Sequence, residues 1–304
     1  MDTIINKTFD IVIPYVNPND LIWVKLYYQY KGEGDEPYKE KRFRDTSFLK
    51  YVLRSIDKYM GFINNVFLIV QSESQVPKWV NRETVKVVLH EEFIPKEYLP
   101  TFNCNTIEMF MYRIPNLSER FIYFNDDTII NKLCIRDFFF EDGLCNLHSE
   151  KQTEEVGKNT WYNCQLNGTR IVNRILNIDE DENVWYKFPH TVTPLLKSKC
   201  EELFSLIGKE IYGGITRFRE CKNFNQHLYA YYIENNKTCC SNIPVSFTYI
   251  NLNKCTKSFL DNVNTLTLCI NDNIRGDIKK IKEGYLVATN WLNNKFKDKS
   301  KYEL

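Results

Sequence analysis

Two acidic side chains stand side by side where a short apolar run breaks off, in Phe121-Ile-Tyr-Phe124 followed by Asn125-Asp126-Asp127. The four apolar residues read as a fully buried β-strand. Paired carboxylates at the end of such a strand are costly unless they meet a cation or a hydrogen-bonding ligand. In open α/β sheets the carboxyl ends of the strands are where ligands bind. Asp126 and Asp127 therefore suggest a site for a divalent metal or a phosphate-bearing substrate, with Mg2+ or Mn2+ the hard ions that carboxylate oxygens favour. Asn and Asp are also ordinary turn residues, so a plain strand-to-turn boundary competes with that reading. The pattern repeats at residues 266–270, an apolar run ending on Asn271 and Asp272, which are placed to bind phosphates or complete a metal site.

Other residue types add to this chemistry. The chain has four histidines, and His190, just after Phe188-Pro189, carries an imidazole suited to general-base work near neutral pH. A lone histidine is more often structural. Arg217 and Arg219 flank Phe218, so in an extended segment both would point the same way. Guanidinium groups suit bidentate phosphate recognition, although a solvated arginine pair is the bland alternative.

The elements that must position these groups follow from the hydrophobic pattern. Residues 9–14 read as an apolar strand running into Asn17-Pro-Asn-Asp20, and residues 31–44, with Gly32, Gly34 and Pro37, as a charged surface loop. Asp45 or Thr46 can cap a helix to about Tyr59, with Leu49, Val52, Leu53 and Ile56 on one face. Residues 66–70 and 85–89 read as strands, 102–112 as a helix and 121–124 as the next strand. That alternation predicts an α/β fold with a mostly parallel sheet covered by helices. After Phe140 the character changes. Residues 150–160 and 177–183 read as loops, and helical patterns return at 195–207, 224–234 and 277–295. The reading is an α/β half over residues 1–140 and a more helical part over 141–304 that completes the same site, one catalytic domain overall.

Composition narrows the class. A 304-residue chain with 43% hydrophobic and 26% charged residues is ordinary for a folded protein with a sizeable core. A net charge of +1 gives no global pull toward nucleic acid, and no nucleic-acid partner is expected. Met1-Asp-Thr-Ile-Ile-Asn-Lys7 lacks a leader pattern and no segment reaches about 20 apolar residues, which favours a cytoplasmic setting. The ten cysteines are scattered without a C-x-x-C pair. The vicinal pair Cys239-Cys240 cannot make a normal bridge to itself, so reduced thiols are expected.

Four separated blocks resemble the Stealth family, the sugar-1-phosphate transferases of bacterial capsule synthesis. The first is Asp10-Ile-Val-Ile-Pro-Tyr-Val-Asn-Pro-Asn-Asp20 with Trp23. The second runs from Arg42-Phe-Arg-Asp45 through Leu53-Arg-Ser-Ile56, Gln75-Val-Pro-Lys-Trp79 and Leu99-Pro-Thr-Phe-Asn103 to Asn125-Asp-Asp127. The third extends from His190 to Arg217-Phe-Arg219, and the fourth is Leu268-Cys-Ile-Asn-Asp-Asn273. The tail Phe296-Lys-Asp-Lys-Ser-Lys-Tyr-Glu303 is similar to the family's closing motif. Phe48 departs from the usual acidic residue, Cys104 from the usual Ser, and Asn223 from a frequent Asp, while Pro14 and Pro18 replace commoner residues.

The resemblance implies a nucleotide-sugar-transferase fold of the GT-A or Rossmann-like kind. It implies transfer of a hexose-1-phosphate from a nucleotide-diphosphate sugar to a hydroxyl of a glycan or lipid-linked glycan. It marks Asp127, His190, Arg219 and Asn271 as catalytic positions, with Asp126 and Asp127 holding the metal. Asn17, Asp20, Asn103, Asn105, Glu108, Arg217 and Asp272 are then expected around the donor, although turn or N-cap roles compete for Asn103, Asn105 and Glu108. The basic segment with Lys279, Lys280, Lys282, Lys295, Lys297, Lys299 and Lys301 can touch the inner face of a membrane. A solvated helix face is the plainer account. A conventional metal-dependent glycosyltransferase and a non-catalytic carbohydrate-binding scaffold remain the alternatives.

Overall fold

The computed structural model describes residues 9–32, 43, 46–241, 245–272 and 278–304. Four apolar segments form the parallel body of the central sheet: β1 (Phe9–Pro14), β2 (Ile63–Val70), β3 (Val85–Leu89) and β4 (Arg120–Tyr123). A fifth strand, Thr193–Leu196, runs antiparallel to β4 at the edge, and β3 closes the other edge beside β2. The fold is α/β around a mostly parallel sheet. Near-continuous Val, Ile and Phe suit strands covered on both faces.

One charge is buried in this sheet. The Asp10 carboxylate, inaccessible to solvent, accepts from Asn65 N (3.1 Å), Asn65 Nδ2 (2.9 Å), Asn64 Nδ2 (3.2 Å) and Ser118 N (2.7 Å). It ties the start of β2 to the segment entering β4, with its oxygens satisfied as a buried carboxylate requires.

A second, three-stranded sheet carries the end of β4 onward. The strand β5 (Thr128–Ile130) pairs antiparallel with Thr267–Asn271, which pairs parallel with Phe247–Asn251. Eight α-helices surround the sheets among the described residues: α1 (Leu21–Lys31), α2 (Leu49–Tyr59), α3 (Cys104–Phe110), α4 (Thr160–Leu176), α5 (Lys197–Gly214), α6 (His227–Asn235), α7 (Lys257–Asp261) and α8 (Ile278–Lys295).

Several local expectations change. Thr46 does not cap α2: Phe48 holds the N-cap position without a side-chain bond and is buried, stacked on Tyr285 of α8 at 6.0 Å. Asp45, most of the 31–44 loop, Asn273 and Asp277 lie outside the described residues. Leu195 and Leu196, expected in a helix, belong to the edge strand, where Pro194 is tolerated and a helix is not. The helix follows as α5, bent at Ile207 (φ −127°). Glu150–Gln152, expected as loop, pairs antiparallel with Trp185–Lys187. Helices α1 and α4 lie where no helix was expected; each begins on a side-chain cap, Asp20 to Ile22 N and Asn159 to Trp161 N.

Candidate active site

β4 leaves the central sheet at Tyr123 and passes through Phe124-Asn125-Asp126-Asp127 into β5, so the acidic pair sits where the two sheets join. Backbone and side chain then fix Asp127 from the neighbouring strand. Ile270 N donates to Asp127 O (3.1 Å), and Asn271 Nδ2 donates to Asp127 Oδ2 (2.8 Å). Cys269, paired across from Thr128, points to the same place. Asp127, His190 and Cys269 each bring one ligand-capable atom within 4.8 Å of the others. Asp126 lies outside that trio, although its charge still acts on the Cys269 thiol.

His190 arrives on the loop before the edge strand, and its neighbours hold that loop. Thr191 Oγ1 bonds Thr267 Oγ1 at 2.6 Å, Phe188 N donates to Gln165 Oε1 at 2.8 Å, and the Phe188 ring stacks on His227 at 5.1 Å. The imidazole sits edge-on to Trp161 (6.1 Å) and Tyr249 (5.5 Å). Burial lowers its pKa; Asp127 opposes that and Arg219 adds to it. The net direction keeps the ring neutral, able to accept a proton.

Arg219 comes from the turn after α5. Its guanidinium donates to Cys104 Sγ at the start of α3. Burial pushes the Cys104 thiol up to about 12, so it meets the arginine as a neutral thiol, and Glu108 supplies the countercharge. Glu108 is itself buried and its carboxyl is raised by that burial, with Arg219 opposing the shift. Tyr123 OH (2.8 Å) and Gln226 N (3.0 Å) donate to its two oxygens. The arginine that would meet phosphate thus lies in the field of an acid anchored to β4 and to the entrance of α6.

The other expected residues divide by what they touch. Asn103 caps α3 through Asn105 N, and its amide reaches Thr216 O (3.1 Å), Phe218 O (3.3 Å) and Asn223 Oδ1 (3.0 Å). Asn105 donates to Cys164 Sγ at 3.0 Å. Both are buried; Asn103 ties the arginine turn to α3, and Asn105 ties α3 to α4. Arg217 does not share a direction with Arg219, because residues 217–219 form a bend rather than a strand. Its guanidinium holds Pro100 O (2.8 Å) and Leu99 O (3.3 Å) and lies 4.2 Å from the Tyr30 ring centroid.

Asp20 caps α1 and takes bonds from Ser74 Oγ and Gln75 Nε2, both at 2.7 Å; these bonds outweigh the upward push of partial burial and lower its pKa. The Asn17 backbone exchanges two bonds with the Gln75 side chain, Asn17 N donating to Oε1 and Nε2 donating to Asn17 O. The two therefore brace the loop after β1 against the segment after β2. Asp272 follows Asn271 at the end of its strand. Cys269, Trp161 and Tyr249 were not singled out from sequence. Cys269 had a signal: it stands two residues before Asn271, on the same face of a strand.

Residues 42–147 match the family model described as Stealth protein CR2, conserved region 2. The capsular polysaccharide phosphotransferase cps1A of Actinobacillus pleuropneumoniae is 33% identical over 239 residues, covering 74% of this chain and 64% of that protein. The capsular polysaccharide phosphotransferase WcwK of Streptococcus pneumoniae is 28% identical across 98% of this chain and 99% of its own length. The chain belongs to the Stealth family. It spans less than two thirds of the Actinobacillus relatives it matches, 64%, 60% and 59% of their lengths. Among solved structures, the galactosyltransferase LgtC aligns with a TM-score of 0.42 and 10% identity, over 96% of this chain and 98% of that one; a likeness at that level carries no functional weight.

The donor set fits a hard divalent ion better than a thiolate-bound one. Burial, with Asp127 beside it, drives the Cys269 thiol well above its ordinary range, and sulfur is a soft donor that Mg2+ and Mn2+ pass over for oxygen. What remains is carboxylate oxygen from Asp127, with Asp126 next to it. Mg2+ and Mn2+ are commonly held by one or two carboxylates together with substrate phosphates.

Proposed function

We propose that this Stealth protein is a sugar-1-phosphate transferase of capsule or exopolysaccharide synthesis. Its donor would be a nucleotide-diphosphate sugar such as a UDP-N-acetylhexosamine, and its acceptor a hydroxyl of a glycan or lipid-linked glycan. The observation that carries the reading is the meeting of Asp127, His190 and Arg219, from three distant segments, in one electrostatic neighbourhood where the sheets join.

In the proposed reaction the acceptor oxygen forms a bond to the β-phosphorus of the donor. The bond between that phosphorus and the bridging oxygen breaks, and nucleoside monophosphate leaves. His190 takes the hydroxyl proton on its neutral imidazole. Arg219, held by Cys104 and balanced by the nearby Glu108 charge, faces the charge that develops on the phosphoryl oxygens. Asp127, with Asp126 beside it, would hold the divalent ion, and Asn271 orients the Asp127 carboxylate. The ion, when bound, neutralises diphosphate charge. The 1–140 and 141–304 parts act as one catalytic domain in this reading, at the cytoplasmic face of the membrane. No helix among the described residues is long and apolar enough to cross a membrane.

The deciding experiment is product analysis with a panel of nucleotide sugars and Mg2+ or Mn2+. Nucleoside monophosphate release together with a new phosphodiester is expected. Nucleoside diphosphate release would instead assign a conventional glycosyltransferase.

A further inference from the structure

An open cleft of about 530 Å3 lies between α7 and α8, apart from the candidate active site. That volume falls within the roughly 300–1,000 Å3 typical of ligand sites. Asn290, Trp291, Asn294 and Lys295 of α8 line one wall, at spacings that place them on one helix face. Lys257, Leu260 and Asp261 of α7 line the other. Trp291 Nε1 donates to Asp261 Oδ1 at 3.1 Å, which fixes the indole, and Lys257 is paired with Asp261 at 2.6 Å. Leu260 is buried at the base, while Asn290 and Asn294 are exposed.

We infer that this cleft is a second glycan-binding site, holding part of the acceptor chain away from its reacting hydroxyl. The inference rests on the glycan-acceptor reading above. A pyranose ring offers apolar C–H faces and a rim of hydroxyls, and the cleft offers an indole and a leucine beside two side-chain amides and a carboxylate. A lipid tail would strand those polar groups without partners. A polyanion would meet the Asp261 carboxylate and find Lys257 already neutralised by it, with Lys295 turned away to Asn131 Oδ1.

The position suits a polymer. Val263, which also lines the cleft, stands four residues before the strand Thr267–Asn271, whose far end holds Asp127. That strand alone spans about 13 Å at roughly 3.3 Å per residue. A single sugar cannot occupy both places, whereas an oligomer can.

The test uses the full chain on an array of neutral hexose and N-acetylhexosamine oligomers, one to eight residues long, without donor or divalent ion. Retention of oligomers but not of single sugars is expected. The double variant Asn290→Ala/Asn294→Ala changes only exposed side chains and should weaken retention about tenfold or more, while His190→Ala should leave it unchanged. No retained oligomer, or equal retention by the double variant, overturns the inference. Retention without monophosphate release defeats the proposed reaction and leaves the cleft standing. Turnover on single-sugar acceptors with no oligomer retained does the reverse.

Discussion

A half-buried guanidinium needs more than charge to act on phosphate; it must also hold one orientation. Arg219 donates to Cys104 and faces Glu108, which is itself held by Tyr123 OH and Gln226 N. Lysine would restore the charge but not the planar fork. Arg219→Lys should therefore lower turnover by about 10²–10³, the usual cost of losing a charge-stabilising donor, and should weaken donor binding as well. Nucleotide-sugar affinity and monophosphate release, measured side by side, check this; a variant that matches the parent in both removes Arg219 from the mechanism. Asn271 is a different case, because it touches Asp127 and need not touch substrate. Losing its 2.8 Å bond should leave the carboxylate more loosely held, with the 3.4 Å bond from Thr128 Oγ1. Asn271→Ala should raise the Mg2+ or Mn2+ concentration for half-maximal activity about 10–100-fold, the scale of lost support behind a metal ligand, with near-parental turnover at saturating metal. Activity unchanged across the metal titration would show that Asn271 does not support the ion.

At the scale of elements, the turn carrying Arg219 is the least regular part of the site and the most heavily tied. Asn223 is buried, and its amide donates to Gly214 O and Thr216 Oγ1, both at 2.7 Å. Its carbonyl accepts from Glu220 N at 2.8 Å and from Asn103. The aspartate frequent at this position in the Stealth family would here lose both donations and bury a charge. Asn223→Asp should cost about 2–4 kcal/mol, read as a lower urea midpoint; a parental midpoint would mean the turn rearranges around the acid. Such side-chain knots leave no hydrophobic period, which is why the turn was invisible in sequence while β1 and β3 were legible to the residue. Buried parallel strands announce themselves as unbroken apolar runs. Thr193–Leu196 was misread because Leu195 and Leu196 continue a helical pattern into α5, and α4 was missed because Asn159 caps a helix of mixed polarity. The Asp127 end was legible for the same reason as its strand. The approach of Cys269 depended on pairing between β5 and a strand more than 130 residues away, which local pattern cannot supply.

At the scale of the whole molecule, the C-terminal segment closes the fold onto its first helices. Arg54 of α2 makes a two-point pair with Glu303, both bonds 2.8 Å, and also holds Phe296 O at 2.8 Å. Glu303 accepts from Ser300 N, and Leu304 N donates to Trp79 O at 2.8 Å. The helix α8 that leads into this segment is itself closely packed, since a Cβ on its Gly284 would lie 1.7 Å from Leu252 O. The segment thereby joins α2 to the stretch between β2 and β3. Partial burial tends to raise the Glu303 carboxyl, but the Arg54 pair and the Ser300 bonds win and lower it below the ordinary 4.5. A group depressed in the folded state stabilises fully above its unfolded value, and that contribution is lost as pH falls through the folded value. Stability should therefore drop on acidification below about pH 4.5, with part of the drop belonging to this pair. Glu303→Gln should cost about 2 kcal/mol at neutral pH, within the range for hydrogen bonds to a charged group, because the pair is only partly buried and Arg54 keeps Phe296 O. The variant should also lose less stability than the parent between pH 4.5 and 3. Urea unfolding at both ends of that window measures the difference. Equal acid sensitivity in the two proteins would show that the tail pair does not couple the C-terminus to the fold, and would move the acid-labile contact elsewhere.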